Sequence, residues 1–167
     1  MEITSAQAAK LLRKYREEFN ALREAEDQTR EFLASVGEDP ESVRPAYDYA
    51  ATQAALKEKE GAIRRIKHAL NLFNTTHQVP GFDMTVDELL VYMPQLTARK
   101  EKLARMKSAL PKVRETVSFG KGIIDYRYAN YDVAAAAAEY EAVSEELSAA
   151  QTALDLLNNT VTFSLDL

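Results

Sequence analysis

His68 and His77 are the only histidines in the chain, and there is no cysteine. A zinc or di-iron centre draws on His, Cys and carboxylates at fixed spacing, such as His-x-x-x-His or Glu-x-x-His on a helix. The two histidines belong to neither motif and fall on different elements. His68 reads as a helix-surface residue near a C-terminal end, where a cation suits the dipole. The serines lack the Gly-x-Ser-x-Gly turn that exposes a nucleophile. Glu17-Glu18 and Glu145-Glu146 are adjacent on helices, so their carboxylates diverge and cannot work on one point. Gly120-Lys121-Gly122 has neither the four-residue spacer nor the Lys-Ser/Thr pair of a phosphate loop. These residues indicate no catalytic group, metal ligand or cofactor, and an enzyme is the least supported class.

Binding chemistry is better represented. The stretch 99–114 holds Arg99, Lys100, Lys102, Arg105, Lys107, Lys112 and Arg114 against one acid, Glu101. The first five are candidate phosphate contacts. The last helical stretch is the reverse, with Glu139, Glu141, Glu145 and Glu146 and no basic residue from Asp132 to its end. Opposite charges on neighbouring helices set pairing orientation more than stability, since an exposed pair contributes under about 1 kcal/mol. The net charge of −5 argues against general nucleic-acid binding. Tyrosines gather in a second feature: Tyr126, Tyr128 and Tyr131, matched by Tyr47 and Tyr49 in an earlier connector. Tyrosine is favoured at interface hot spots, so Tyr126, Tyr128 and Tyr131, with Phe119 and Phe163, are candidate interface residues.

The elements that must position these groups follow from a repeat. Tyr47-Asp48-x-Ala50-Ala51 recurs as Tyr131-Asp132-x-Ala134-Ala135. Ala69-Leu70-Asn71-Leu72-Phe73-Asn74-x-Thr76 recurs as Ala153-Leu154-Asp155-Leu156-Leu157-Asn158-x-Thr160, every match 84 positions apart. Each copy predicts one long helix opened by Tyr-Asp and closed by Asn-x-Thr. An earlier helix starts at Thr4, where Thr4-x-x-Gln7 forms a capping box, and carries Ala8, Leu12, Tyr15, Phe19, Leu22 and Leu33 as a heptad seam. Glu26 and Thr29 interrupt it, as a polar layer near a solvated end or as a register-fixing buried charge. Gly37 is expected to cap that helix. The second seam runs Leu56, Ile63 and Leu70, with Ile66 and Phe73 between; Gly61 inside it should weaken the helix by about 1 kcal/mol relative to alanine. Pro80-Gly81 marks a turn. Thr85-x-x-Glu88 starts a third helix with Leu89, Leu96, Leu103 and Leu110 at seven-residue spacing, Pro94 in its third turn and Pro111 at its end. Residues 115–119 and 123–128 alternate as a β-hairpin about 120–122. Val161, Phe163 and Leu165 alternate as a further strand; this tail, within the chain or from another subunit, or else the same hairpin of another subunit, is expected to complete the hairpin's sheet.

Four segments together resemble a family of small bacterial helical proteins, some of which carry the label septicolysin: Asn74-Thr75-Thr76, Pro80-Gly81-Phe82-Asp83-Met84-Thr85, Val91-Tyr92-Met93-Pro94-Gln95-Leu96, and the closing 154–160. The resemblance covers most of the chain from the second helix onward. It rests on caps and turns. It implies a long-helix protein that oligomerises, and it carries over no catalytic residue.

The composition, 46% hydrophobic with five glycines and five prolines in 167 residues, fits an ordered helical chain. The fold expected is mainly α and a single helical domain, 1–167, of two pseudo-repeated antiparallel long-helix hairpins, halves 1–84 and 85–167. They form a four-helix bundle or an extended coiled-coil-like pair, with a small β-hairpin at about 115–128 before the last helix. No apolar run is long enough for a membrane span, and the expected location is the cytoplasm. The expected function is a structural or protein-interaction protein that self-associates into a homo-oligomer through helix seams and the hairpin. The alternative is a nucleic-acid or phosphate-ligand binder using 99–114.

Overall fold

A computed structural model describes residues 1–115 and 124–167. The chain is mainly helical, with 67% of the described residues in helices, in the order β1 (Glu2–Thr4), α1 (Ser5–Thr29), α2 (Pro40–Val43), α3 (Tyr49–Thr76), α4 (Val86–Lys107), β2 (Lys112–Arg114), β3 (Tyr126–Tyr128), α5 (Val133–Thr160) and β4 (Thr162–Ser164). It divides into two compact units, one of Met1–Thr76 with Asn158–Leu167 and one of His77–Leu157.

Both copies of the sequence repeat open a long helix in a similar way. Helices α3 and α5 each have 28 residues, about 40 Å at the α-helical rise. Asp48 accepts the Ala51 amide at 3.0 Å, and Asp132 accepts those of Ala134 and Ala135 at 2.8 and 3.2 Å. Each aspartate thereby satisfies donors that the first helical turn leaves unpaired. The tyrosine before each aspartate reaches back to the preceding long helix. Tyr47 donates to Glu26 Oε1 at 2.7 Å, and Tyr131 donates to the Met106 carbonyl at 2.9 Å. Both capping boxes are present, Thr4 with Gln7 and Thr85 with Glu88.

In the first unit α1 and α3 run antiparallel: Glu26 meets Tyr47 and Gln53, Glu18 meets Lys59, and Ala8 packs with Ile66. Glu26 is a hydrogen-bonded polar layer, accepting from both Tyr47 and Gln53 at 2.7 Å. The α1 seam stops short of expectation. The helix ends at Thr29, and Leu33 is 96% exposed. Gly37 is not its cap. Its φ of 91° serves a β-turn in which the Glu38 amide donates to the Ser35 carbonyl, a position that excludes a Cβ at low cost. Pro80-Gly81 forms the expected turn, with Gly81 at φ 85° and the Phe82 amide on the Val79 carbonyl.

The tail does form a strand, but not on the hairpin. β4 pairs antiparallel with β1, Ile3 opposite Phe163. The physical reason is packing: Phe163 lies 5.2 Å from Phe73 between ring centroids, and Leu165 joins Ile3, Ala8 and Ile66 in one buried cluster. Ser5, 6% exposed, donates to Asn158 Oδ1 at 2.6 Å, so the Asn that closes the second repeat also anchors the start of α1.

In the second unit α4 packs antiparallel on α5 through Leu96, Leu103, Ala136, Val143 and Leu147. Leu89, Leu96 and Leu103 are at most 4% exposed, whereas Leu110 is 66% exposed. Helix α4 runs on through Pro94 but ends at Lys107, before the expected Leu110. The Met106 carbonyl is taken by the Ala109 amide and the Tyr131 hydroxyl, which closes the helix a turn early.

Three stability tests follow from these contacts. Leu165→Ala should cost about 2–5 kcal/mol, the usual range for a buried leucine, and deletion of 161–167 should lower the melting temperature further. At Gly61 a Cβ would meet only the flexible Arg65 Nη1, at 3.4 Å, so Gly61→Ala should stabilise by about 0.5–1 kcal/mol in urea unfolding. The third is pH-dependent. The Lys59 hydrogen bond holds the Glu18 carboxyl below its ordinary 4.5 and raises Lys59 above 10.5. The Glu18 contribution is full above 4.5 and fades as pH falls through the lowered value. The Lys59 contribution is full below 10.5 and fades as pH rises through the raised one. Glu18→Gln should therefore destabilise uniformly between those limits, with an effect that shrinks in acid or strong base.

Candidate functional site

The candidate residues sort into three groups once placed. Phe163 is partly buried and packs against the first unit's core, its ring on Phe73. Phe119 and the turn Gly120-Lys121-Gly122 lie outside the described residues. Tyr126, Tyr128 and Tyr131 come together with the end of the basic stretch at the hairpin and its base.

Strand β2 begins at Lys112, directly after Pro111, and pairs with β3 in the register Lys112↔Tyr128, Val113↔Arg127, Arg114↔Tyr126. The strand thus starts three residues before the expected 115, directly after proline, which has no N–H to donate to the ladder. The Ala129 amide donates to Pro111 and the Glu115 amide to Asp125, at 3.1 and 2.9 Å. These two bonds fix 111, 113 and 115 as the residues whose backbone bonds to β3. Lys112, Arg114, Tyr126 and Tyr128 occupy the alternating, closer-spaced positions and share one face. Lys112 Nζ lies 4.1 Å from the Tyr126 ring centroid and 5.4 Å from that of Tyr128, within cation–π range. The other face carries Val113, Glu115, Asp125 and Arg127, with Arg127 ion-paired to Glu115.

The helical cations divide in use. Lys107 Nζ sits 3.4 Å from the Tyr140 ring and 3.2 Å from Glu141, and Lys100 lies 5.7 Å from the same ring. They pair α4 with α5. Tyr92 adds a further α4–α5 bond, donating to Glu146 at 2.7 Å; that bond holds its phenol above the ordinary value of 10. Arg99, Lys102 and Arg105 are exposed. Helix spacing did not mark Lys112 and Arg127; strand alternation is the signal that does.

An open groove of about 570 Å³ lies at the hairpin base, lined by Lys107, Pro111, Ala129, Tyr131, Asp132 and neighbouring α5 residues. Its polar groups are largely committed: Tyr131 to Met106, Asp132 to the α5 amides, Lys107 to Glu141. Among the described residues no three His, Cys, Asp or Glu side chains gather as a metal site, and no helix is long and apolar enough to cross a membrane.

No protein-family model and no curated protein matches the chain. A solved structure does: the crystal structure of a functionally unknown conserved protein from Corynebacterium diphtheriae, at TM-score 0.62 and 13% identity, covering 98% of this chain and 100% of that one. At that identity the likeness is one of fold.

The two tyrosine hitches give a matched test. Tyr47→Phe and Tyr131→Phe each remove one hydrogen bond without changing ring volume. Each should lower unfolding stability by about 0.5–1.5 kcal/mol, measured by denaturant midpoint.

Proposed function

We propose that this chain is a protein-interaction module that self-associates, with the β2–β3 hairpin as its principal contact. One observation carries the reading. Leu110, Val113, Ile124, Tyr126, Tyr128 and Tyr131 expose between 38% and 66% of their surface on and around one two-stranded hairpin. A two-stranded sheet is marginal alone, its free edges invite pairing, and a cluster of exposed apolar side chains marks an interaction surface. The half-buried seam of α1, with Leu12, Tyr15, Phe19 and Leu22, offers a second contact. A cysteine-free chain of this kind suits the cytoplasm, and an oligomer is also what the likeness to septicolysin-labelled proteins implies.

A second reading has its own observation: Lys112 and Arg114 share a face with Tyr126 and Tyr128. Alternating cations and aromatics suit phosphates and stacked bases, and exposed Arg99, Lys102 and Arg105 would extend the track.

Light scattering at micromolar concentration should give a mass above that of one chain, and Tyr126→Ser/Tyr128→Ser should reduce it. A monomer across that range defeats the first reading. Gel shifts at low salt, with single- and double-stranded probes, test the second. It requires binding that weakens steeply with salt and is lost in Lys112→Ala/Arg114→Ala.

A further inference from the structure

Residues Ile124-Asp125-Tyr126-Arg127-Tyr128 are self-complementary about their centre. About Tyr126, acidic Asp125 is matched by basic Arg127, and apolar Ile124 by Tyr128. All five are exposed. The ladder to β2 takes the Asp125 carbonyl and the Ala129 amide, which sets the parity of the strand. The intervening residues, Ile124, Tyr126 and Tyr128, turn their N–H and C=O groups away from β2, toward the open edge.

We infer that this edge pairs with the same edge of a second copy, antiparallel and centred on Tyr126. The inference rests on the self-association reading and names its geometry. Tyr126 exchanges both backbone hydrogen bonds with Tyr126 of the second copy, and Ile124 with its Tyr128. Asp125 then lies directly opposite Arg127 of the second copy, and Arg127 opposite its Asp125. These are the closely spaced sites, where opposite charges stabilise and like charges destabilise. The guanidinium of Arg127 has five donors, so it serves Asp125 across the interface while keeping Glu115 within its own hairpin.

Charge selects this register over its competitors. Centring on Arg127 sets Arg127 against itself, and centring on Asp125 sets two carboxylates together. The outer edge of β2, Lys112-Val113-Arg114, sets Lys112 against Arg114 when paired with its own copy. The Tyr126-centred pairing alone places opposite charges and apolar pairs together, and its two-fold axis closes into a dimer rather than a filament. It also turns two marginal hairpins into one four-stranded sheet.

Charge reversal and rescue test it on the full chain, by light scattering. Arg127→Asp sets Asp against Asp125 at both sites and should raise the dissociation constant by about tenfold or more. The swap Asp125→Arg/Arg127→Asp restores both pairs and should restore the dimer, with helical circular dichroism unchanged throughout. Because the chain has no cysteine, Tyr126→Cys gives one thiol at the two-fold axis, which should oxidise to a covalent dimer; Val113→Cys should not. An associated wild type that Arg127→Asp leaves intact, or that cross-links through Val113→Cys and not Tyr126→Cys, overturns this pairing while self-association stands. A monomeric wild type overturns both.

Discussion

A 28-residue helix cannot bury its own apolar stripe, and the two such helices here, α3 and α5, govern what surrounds them. Each needs an antiparallel neighbour held in a fixed register, since heptad positions slide past one another at little cost when only leucines meet. The Tyr-Asp pair that opens each helix meets that need. The aspartate fixes where the helix starts, and the tyrosine bonds to the far end of the neighbour, Glu26 in one unit and Met106 in the other. Start and register are thereby set by two adjacent residues.

Polar contacts then divide the labour unequally between the units. The first uses carboxylates of α1 as acceptors for α3, Glu26 for Tyr47 and Gln53 and Glu18 for Lys59. The second reverses the sense, with α4 donating through Tyr92 and Lys107 to Glu146 and Glu141 of α5. This absorbs part of the basic stretch into helix pairing. The cations of the stretch left exposed are Arg99, Lys102 and Arg105 on α4 and Lys112 and Arg114 on the hairpin face beside Tyr126 and Tyr128. The charge asymmetry of the sequence is therefore two features, one spent on helix pairing and one exposed.

Helix starts were legible because capping is local: Thr4, Asp48, Thr85 and Asp132 each act on amides two or three residues away. Helix ends were not. Leu33 and Leu110 continue the heptad count in sequence, but a carbonyl at Met106 claimed by a tyrosine 25 positions on leaves no local trace. The tail's alternation was readable as a strand, while its partner was not, since Glu2–Thr4 is too short to show a period. Candidate site residues were legible by type and not by place. Phe163 and Tyr128 look alike in sequence, and only the ring of Phe73 draws the first against a core. The alternation of 124–128 was visible as a strand; its self-complementarity acquires meaning only once Asp125 is known to face β2.

The pairing of β1 with β4 has a consequence for synthesis. The second unit is one continuous segment, His77–Leu157, whereas the first is assembled from Met1–Thr76 and Asn158–Leu167. A ribosome delivers every residue of the second unit before it delivers Phe163 and Leu165. Until they arrive, Ile3 and Phe73 lack Phe163, and the α1–α3 cluster lacks Leu165, so of the two units the one begun earlier is completed later.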